Sequence, residues 1–345
     1  MSIRFRNPRS LPKARIVIAA LLLIAAGTAG SAQAAANNAG PDAAAGTAPQ
    51  STSAAGPVSS DPAAYAAALR SPDWVKTPDG LMYKTCVHTL PAGASMHGDS
   101  EVLASGVKLA PFKPCPHPRL VTAAQAAAQS AAAKRAVAKP AFSTNGWLQA
   151  SWWNAPNYLT GITSTYTVPS PPTTDGATNF FFSSLEPSAG DSIVQPVLTW
   201  GNGESDYYLT SWYVTGSNSE TGQNVATAPG DTVTASVRAS GCASDGTGCT
   251  WQIITQDNQS GQQSTLSVTT DESYTSAQGG TFESYGANGC DYFPSNGGIN
   301  FSDIAVYDNN NAQTSPSFSD FVADQECNMS LNIDATSTTF NWSTS

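Results

Sequence analysis

The region from residue 141 to the C-terminus lacks histidine and lysine, and Arg238 is its only basic residue. A Ser-His-Asp triad, a Cys-His pair, a histidine-ligated zinc ion and a lysine nucleophile all need side chains that this region does not have. The region also carries nineteen acidic residues, so its formal net charge is −18, which disfavours nucleic acid and anionic lipid as partners. Its chemistry must come from carboxyl, amide and hydroxyl groups, and we expect neither a cofactor nor a metal ion.

The first 34 residues have the pattern of a secretory signal peptide. Five basic residues precede an apolar run at 16–26, and small residues follow at 31–34. A helix that spans a bilayer needs about 20 apolar residues, so a membrane anchor is disfavoured. The pattern predicts cleavage after Ala34 and a secreted protein, extracellular or, in a host with an outer membrane, periplasmic, with no membrane contact after cleavage.

Six cysteines in an exported chain favour disulfide bonds over metal ligation or redox chemistry. Their spacing favours three local pairs, although other pairings are possible. The favoured pairs are Cys86 with Cys115, Cys242 with Cys249, and Cys290 with Cys327.

The chain between the signal peptide and residue 140 differs in composition from the remainder. Residues 35–62 contain few bulky apolar side chains, which predicts a flexible leader, whereas residues 65–120 contain aromatic anchors and all three histidines, which favours a small folded element. The alanine-rich stretch 121–138 predicts a helix, and the basic stretch 134–139 indicates a cleavage zone. We interpret residues 35–140 as a pro-segment; a permanent N-terminal domain on a linker is the alternative.

From residue 141 to 345, short runs rich in Thr, Ser, Val and aromatic residues alternate with Gly, Asn, Asp and Pro. No part of this region shows sustained helical periodicity. About ten short strands over roughly 200 residues are typical of one all-β sandwich or barrel domain. The predicted strands are 160–168, 178–185, 192–200, 207–214, 232–238, 250–255, 264–269, 280–285, 299–307 and 329–333.

Two polar residues in these strands are candidates for chemistry. Strand alternation places Gln195 on the face opposite to the bulky Trp200. In a later strand, Glu283 shares a face with Tyr285, while Phe282 points to the other side. A carboxyl group flanked by aromatic residues in mid-strand is partly desolvated, so we expect a perturbed pKa for Glu283.

Several short motifs resemble the glutamic peptidases, or eqolisins. Ser-Ile-Val-Gln-Pro at 192–196 is similar to the Ile-Leu-Gln segment of that family, and residues 158–171 resemble its early strand, which ends in Val-Pro-x-Pro. Residues 277–283, followed by Phe-Pro at 293–294 and Phe-Ser-Asp-Ile at 301–304, resemble its Ala-Glu-Trp-Ile segment with downstream Leu-Pro and Phe-Gly-x-Val. The order agrees over most of residues 147–310, but Thr199 and Val214 stand where the family pattern has acids.

The resemblance implies a concanavalin-like sandwich of two curved antiparallel sheets, with a Gln and Glu dyad on the concave face that hydrolyses peptide bonds in acid. Matched by position, Gln195 takes the glutamine role and Glu283 the glutamate role. The expected partners are polypeptide substrates and, as an intramolecular inhibitor, the chain's own pro-segment; we expect a monomer. The candidate substrate-binding residues are Trp152, Trp212, Tyr285 and Glu186.

The chemistry of the dyad also follows from general principles. Peptide hydrolysis needs a base that takes a proton from water, a donor for the developing oxyanion and an acid for the departing amine. Glu283 can act as base and then as acid. The side chain of Gln195 supplies an NH2 donor for the oxyanion and a carbonyl that can orient water.

The charge distribution suggests a regulatory hypothesis. Residues 35–140 carry nine basic and six acidic residues, so a basic pro-segment accompanies a strongly acidic domain. In acid, carboxylates become protonated and His88, His97 and His117 become charged, which weakens the attraction. Release and self-cleavage near residues 134–139 are then expected.

Two other classes of function fit the same composition. A sandwich rich in tryptophan suits a carbohydrate-binding protein, and Glu186 with Glu283 would suit retaining glycoside hydrolysis if their carboxyl groups lay about 5 to 5.5 Å apart. However, the Pro and Gly neighbours of Glu186 favour a turn over a strand. A noncatalytic binding protein with a degenerate site is the third class; a pro-segment argues against it, because a binding protein needs no latency.

Overall fold

The computed structural model describes residues 58–123, 125–126, 145–203, 205–322 and 327–345. The predicted signal peptide, most of the predicted leader, most of the alanine-rich stretch and the basic cleavage zone lie outside these residues. None of the helices in the described part of the chain has the length and apolar character that a bilayer span requires.

The described residues 58–126 are called the N-terminal segment below. It contains β1 (Val58–Ser59), α1 (Pro62–Ala68), β2 (Trp74–Thr77), β3 (Gly80–Tyr83), β4 (Val87–Thr89), β5 (Ser95–His97), β6 (Ser100–Val102) and β7 (Arg119–Leu120). The predicted leader extended to residue 62, and this prediction is wrong at its end, because β1 lies within it and α1 begins there. The side chain of Asp61 caps α1, accepting a hydrogen bond from the backbone N–H of Ala63.

The remainder of the described chain is built from strands. They are β8 (Gly146–Asn154), β9 (Leu159–Thr167), β10 (Thr178–Pro187), β11 (Ser192–Trp200), β12 (Tyr207–Thr215), β13 (Ser219–Thr221), β14 (Val225–Thr227), β15 (Thr232–Ser240), β16 (Cys249–Asp257), β17 (Gln263–Thr270), β18 (Tyr274–Tyr285), β19 (Gly298–Asp308), β20 (Gln313–Thr314), β21 (Ser319–Val322), β22 (Ser330–Ile333) and β23 (Thr338–Asn341). The all-β prediction is confirmed.

These strands form a sandwich of two sheets. The front sheet has the order β21-β8-β18-β10-β11-β12-β13-β4, and β14 also pairs with β12. The back sheet has the order β22-β23-β19-β9-β15-β16-β17-β5-β6, and β20 also pairs with β19. The pairs within the sandwich are antiparallel, whereas β4 joins β13 and β5 joins β17 in parallel. The N-terminal segment therefore extends both sheets, and a further small sheet, β1-β7-β3-β2, lies wholly within it.

The interior of the sandwich is apolar, as strand alternation requires. Phe181 and Leu198 of the front sheet pack in one buried cluster with Ile162, Val237 and Ile253 of the back sheet. In β16, buried residues alternate with less buried ones along most of the strand, which is the pattern of a strand with one covered face. Each fully buried Phe or Leu side chain contributes about 1.5 to 3 kcal/mol through removal of apolar surface from water.

The other face of the front sheet is also covered. Phe180, Phe182 and Val197 pack in a second cluster with Leu81 and Leu120 of the N-terminal segment. Consequently, every residue of β10 and β11 is buried, including the polar ones. The N-terminal segment thus encloses the outer face of the front sheet, on which Gln195 and Glu283 lie.

The three disulfide bonds favoured by the cysteine spacing are present, and no described cysteine is free. Cys86–Cys115 lies within the N-terminal segment. Cys242–Cys249 closes the loop between β15 and β16, and Cys290–Cys327 connects the region after β18 to the region before β22. The two groups of cysteines therefore do not cross-link the N-terminal segment to the sandwich.

Candidate active site

Glu283 lies in β18, and its side chain is completely buried beneath the N-terminal segment. Its Oε2 accepts a hydrogen bond from the backbone N–H of Asp79 at 2.8 Å, and its Oε1 accepts one from the amide nitrogen of Gln125 at 2.8 Å. The hydroxyl of Tyr285 also donates to Oε1. Two of these donors belong to the N-terminal segment, and the third belongs to the same strand as the carboxyl group.

Gln195 lies in β11, which β10 separates from β18. Its side chain is completely buried, and its Nε2 donates a hydrogen bond to the carbonyl oxygen of Pro78 at 3.1 Å. Trp200 and Phe282 pack in the sandwich interior, on the opposite faces of their strands. The faces predicted for Gln195 and Glu283 by strand alternation are therefore the faces observed.

One peptide group of the N-terminal segment contacts both candidate catalytic residues. The carbonyl oxygen of Pro78 accepts from the Gln195 amide, and the N–H of the next residue, Asp79, donates to the Glu283 carboxyl group. A hydrolase must place an amide-type donor on the carbonyl oxygen and a carboxyl group beside the nitrogen of the bond that it cleaves. The Pro78–Asp79 peptide group has both contacts.

A tight turn brings this peptide group into the site. It lies at the tip of the hairpin of β2 and β3, where Thr77 pairs with Gly80. Proline suits the first turn position, and Asp79 takes the second with φ 88°, a conformation that Asp tolerates. At Gly80, where φ is 135°, an added Cβ would lie 2.7 Å from the carbonyl oxygen of Leu120, so only glycine fits.

A buried ion pair holds the turn. Nη1 of Arg119, in β7, donates to the carbonyl oxygen of Asp79 at 3.0 Å and also to the Asp79 carboxylate. Both side chains are buried. Removing one partner of such a pair leaves an uncompensated charge and typically costs about 3 to 5 kcal/mol. The pair therefore links β7 to the turn in the site.

Gln125 reaches Glu283 from a helical turn at the end of the N-terminal segment. The hydroxyl of Thr122 accepts from the backbone N–H of Gln125 at 3.1 Å, and Oε1 of Gln125 accepts from the backbone N–H of Thr122 at 3.1 Å, which forms a capping box. This arrangement leaves Nε2 of Gln125 free to donate to Glu283 and, at 3.4 Å, to the Tyr285 hydroxyl.

Burial perturbs the titration of the site strongly. It raises the pKa of Glu283 well above its usual range, against the opposing effects of the hydrogen bond from Tyr285, the charge of Arg119 and the hydrogen bond from Gln125. Burial, reinforced by the charge of Glu283, also raises the pKa of Tyr285 well above its usual range. The expected perturbation of the Glu283 pKa is present, and burial under the N-terminal segment favours the protonated form of the carboxyl group.

Glu186 lies in β10, and the prediction that it belongs to a turn is wrong. Its side chain is 1% exposed, and the chain turns only after β10 ends. Among the described residues, neither carboxyl oxygen accepts a hydrogen bond of ordinary geometry. Burial raises the pKa of Glu186 to about 8, although the charge of Arg119 and the nearby amide of Gln278 lower it. Glu186 is thus a second buried carboxyl group on the same face as the dyad.

The other candidate substrate-binding residues line the covered face of the front sheet. Trp212 of β12 is buried and is the register partner of Gln195 in β11. The hydroxyl of Tyr285 donates a hydrogen bond to the Glu283 carboxyl group. Trp152 is half-buried, packs against the second apolar cluster, and pairs with Gln278 of β18. These residues lie under or beside the N-terminal segment. Sequence reasoning missed Pro78, Asp79, Arg119 and Gln125; the Thr-Pro-Asp-Gly sequence signals a turn, but not the turn's destination.

The attraction expected between a basic segment and an acidic domain is not made through direct ion pairs in the described part of the chain. The ion pairs found there, Lys84 with Asp73 and Arg119 with Asp79, both lie within the N-terminal segment. The segment binds the sandwich through apolar packing, strand pairing and hydrogen bonds. Protonation of carboxylates therefore does not release the segment by breaking such pairs.

The position of His88 suggests how acid weakens binding of the N-terminal segment to the sandwich. It lies in β4, stacks on Phe112 with ring centroids 4.0 Å apart, and is the register partner of Glu220 in β13. Burial lowers its pKa, although contacts with Asn218 and Glu101 oppose this shift. A histidine that is held neutral in the folded state weakens that state as acid charges it.

The buried carboxyl groups predict how thermal stability depends on pH. Burial raises the pKa of Glu186 and of Glu220 to about 8, and it also raises that of Glu283, so the folded state binds more protons than the unfolded state in neutral solution. Stability from such groups is present in acid and is lost as pH rises through the folded-state pKa. We expect the Tm of the unprocessed chain to fall by several degrees between about pH 6.5 and pH 8, a window above the titration of His88.

The measurement is calorimetry of a Gln195→Ala chain, which keeps all three carboxyl groups. Glu220→Gln in that background should reduce the slope of Tm against pH. A Tm that is constant or rises across this window would contradict the assignment.

No protein-family model and no curated protein matches this sequence. Solved structures with a similar backbone include scytalido-glutamic peptidase with a peptide-based transition state analog (16% identity, TM-score 0.43) and the eqolisin SCP-B in complex with the tripeptide Ala-Ile-His (16% identity, TM-score 0.41). In both cases the match covers 58% of this chain and 98% of the other. Aspergilloglutamic peptidase from Aspergillus niger is also similar, at 13% identity and TM-score 0.36, over 49% of this chain and 99% of that one. These values are too low to assign a family or an activity to this chain.

Proposed function

We propose that this chain is a secreted acid endopeptidase of the glutamic type, in which Gln195 and Glu283 hydrolyse peptide bonds and the N-terminal segment acts as an intramolecular inhibitor. The observation that carries the proposal is the position of the Pro78–Asp79 peptide group. Its carbonyl oxygen accepts a hydrogen bond from Gln195, and its N–H donates one to Glu283. The segment occupies the site with the same chemical group that a substrate would present.

In the proposed mechanism, the Glu283 carboxylate takes a proton from water, and the water oxygen attacks the carbonyl carbon of the scissile bond. Negative charge develops on the carbonyl oxygen, and the Gln195 amide stabilises it by donating a hydrogen bond. Glu283 then transfers its proton to the nitrogen as the carbon–nitrogen bond breaks, which gives a free carboxyl end and a free amine. The contact between the Asp79 N–H and Glu283 places the carboxyl group on the side of the departing nitrogen.

The N-terminal segment inhibits in two ways. It fills the site, and by burying Glu283 it raises the pKa of that carboxyl group, which disfavours the ionised form that is required as the base. When the segment leaves, solvent reaches Glu283 and its pKa falls towards the ordinary range, which makes the carboxylate available in mildly acidic solution.

The two conditions that this proposal requires of the chain are export and removal of the segment. The pattern of residues 1–34 supports export, and the disulfide bonds are consistent with an oxidising compartment. We place the boundary between pro-segment and catalytic domain near residue 140, with cleavage in the basic stretch 134–139. Charging of His88 in acid supports release at low pH.

The alternative of a carbohydrate-binding or glycoside-hydrolysing sandwich has less support. Trp200 and Trp251 lie in the sandwich interior, where they cannot stack on a sugar. Trp147 and Trp212 do face the covered site, but the group bound between Gln195 and Glu283 there is a peptide.

The experiment that tests the class is digestion of casein at about pH 4 by the purified full-length chain after acid incubation. Cleavage that persists with pepstatin and with chelators, accompanied by loss of the N-terminal segment on a gel, is the expected result. No proteolysis from a chain that has lost its segment would refute the proposal, and hydrolysis of a glycan panel instead would favour the alternative.

A further inference from the structure

A basic and an acidic side chain are buried beside the dyad without bonding directly to each other. Arg119 of the N-terminal segment and Glu186 of β10 are both buried. Nη1 of Arg119 is taken by Asp79, but within the described chain its Nε and Nη2 have no hydrogen-bond partner, and neither have the two carboxyl oxygens of Glu186. Glu186 is the largest charge influence that favours the protonated form of Arg119. The charge of Arg119 in turn lowers the pKa of Glu186, against the larger effect of burial.

The position of this pair relative to the dyad is defined by strand order and by the turn. β10, which carries Glu186, runs between the strands of Glu283 and Gln195. Arg119 contacts the carbonyl oxygen and the carboxylate of Asp79, the residue that follows the peptide bond in the site. The cation thus lies on the C-terminal side of that bond.

Removal of the N-terminal segment takes Arg119 away and admits solvent to Glu186. Its pKa then falls towards the ordinary range, which leaves an ionised carboxyl group without a cation. In residues 141–345 the only basic side chain is that of Arg238. Arg238 lies in β15 of the back sheet, where it stacks on Tyr307 and donates to Asn311. Arg238 is on the back sheet and does not replace Arg119, so the sandwich itself supplies no basic side chain to Glu186 once the segment has left.

We propose that Glu186 forms an anionic subsite that receives a lysine or arginine side chain of the substrate, one or two residues after the scissile bond, in the place that Arg119 occupies in the latent chain. This inference rests on the proposed peptidase function and adds a substrate preference to it. Charge pairing in a site shielded from water is stronger than on the surface, so a single carboxyl group suffices to discriminate a cation from a neutral side chain.

The test uses fluorogenic peptides that differ only at the first or second residue after the cleaved bond, with lysine, arginine or glutamine there. We expect wild-type kcat/KM to favour a basic residue by about ten-fold at one of these positions. In Glu186→Gln the preference should fall to within about two-fold, with the glutamine peptide still cleaved. Glu186→Asp, which keeps the charge with a shorter reach, should retain part of the preference.

Glu272→Gln serves as the matched control. Glu272 is also largely buried, and its carboxyl group accepts from Ser192 and Tyr274 away from the dyad, so its replacement should leave the preference unchanged. Wild-type enzyme that cleaves the three peptides equally would overturn the subsite but not the peptidase, and this comparison requires no variant to fold. Wild-type enzyme that cleaves none of them would overturn the proposed function and the subsite together. An equal basic preference in wild type and Glu186→Gln would place the subsite elsewhere.

Discussion

Replacing Glu283 with Gln is expected to reduce peptide hydrolysis by about 10²- to 10⁴-fold, because general acid–base catalysis contributes that much in enzymes that use it. Glutamine preserves the size of the side chain and its ability to bond to Tyr285, but it has no proton to exchange at any accessible pH. The measurement is the steady-state kcat/KM on a fluorogenic peptide of the variant after its N-terminal segment has been removed by an added protease, beside wild-type enzyme treated in the same way.

Gln195→Ala is expected to lower kcat by about 10²- to 10³-fold, which corresponds to the loss of one oxyanion donor, about 2.7 to 4 kcal/mol. Because a residue that acts in the transition state affects kcat more than KM, the KM should change little. Glu272→Gln, a buried carboxyl change elsewhere in the sandwich, should behave like wild type. If Glu283→Gln and Glu272→Gln retained equal activity, Glu283 would not be the base.

Breaking the ion pair that holds the Pro78–Asp79 turn is expected to have the second large effect. The chain should then be active while it still carries its N-terminal segment. Arg119→Met removes the cation of a buried ion pair and leaves the Asp79 carboxylate in place, at a cost of about 3 to 5 kcal/mol. Each 1.4 kcal/mol is a factor of ten, so opening of the site should increase by about 10²-fold or more. The assay is initial peptide hydrolysis by the unprocessed chain, with its integrity checked on a gel.

Two further variants distinguish release of the turn from general destabilisation of the N-terminal segment. In the double variant Asp79→Asn with Arg119→Met, both charges of the ion pair that holds the turn are removed, so latency should be partly restored. Lys84→Ala removes the ion pair with Asp73, which is about half exposed in the same segment, and should leave latency unchanged. Equal activity of the unprocessed wild type and Arg119→Met chains, both folded by calorimetry, would contradict the inhibitory role of the turn.

The parts of this structure that the sequence predicts are those set by local pattern. Alternation in single strands was sufficient to place Gln195 and Glu283 on one face, since each strand has bulky residues on its other side. Cysteine spacing was sufficient for the disulfide pairs because each bond closes a short stretch of chain. The strand β8 escaped prediction because both of its faces are covered along most of its length, and its small and polar residues show no alternation.

The insertion of the N-terminal segment into the site could not be predicted from local sequence pattern. Pro78 contacts a residue 117 positions further along the chain, and Asp79 contacts one 204 positions away, so neither contact leaves a trace in nearby sequence. Glu186 was misplaced for a related reason. Its Pro and Gly neighbours signal a turn, which does follow, but β10 continues through Glu186 to Pro187 before the chain turns.

The most direct test of the account is the pH profile of kcat/KM for the activated enzyme between about pH 3 and pH 8, measured beside Glu283→Gln. The account predicts that wild-type activity falls in acid as one carboxyl group becomes protonated, and that the variant has no such ionisation and at most about 1% of the activity. Two profiles of similar height and shape would contradict the claim that Glu283, together with Gln195, hydrolyses the bond.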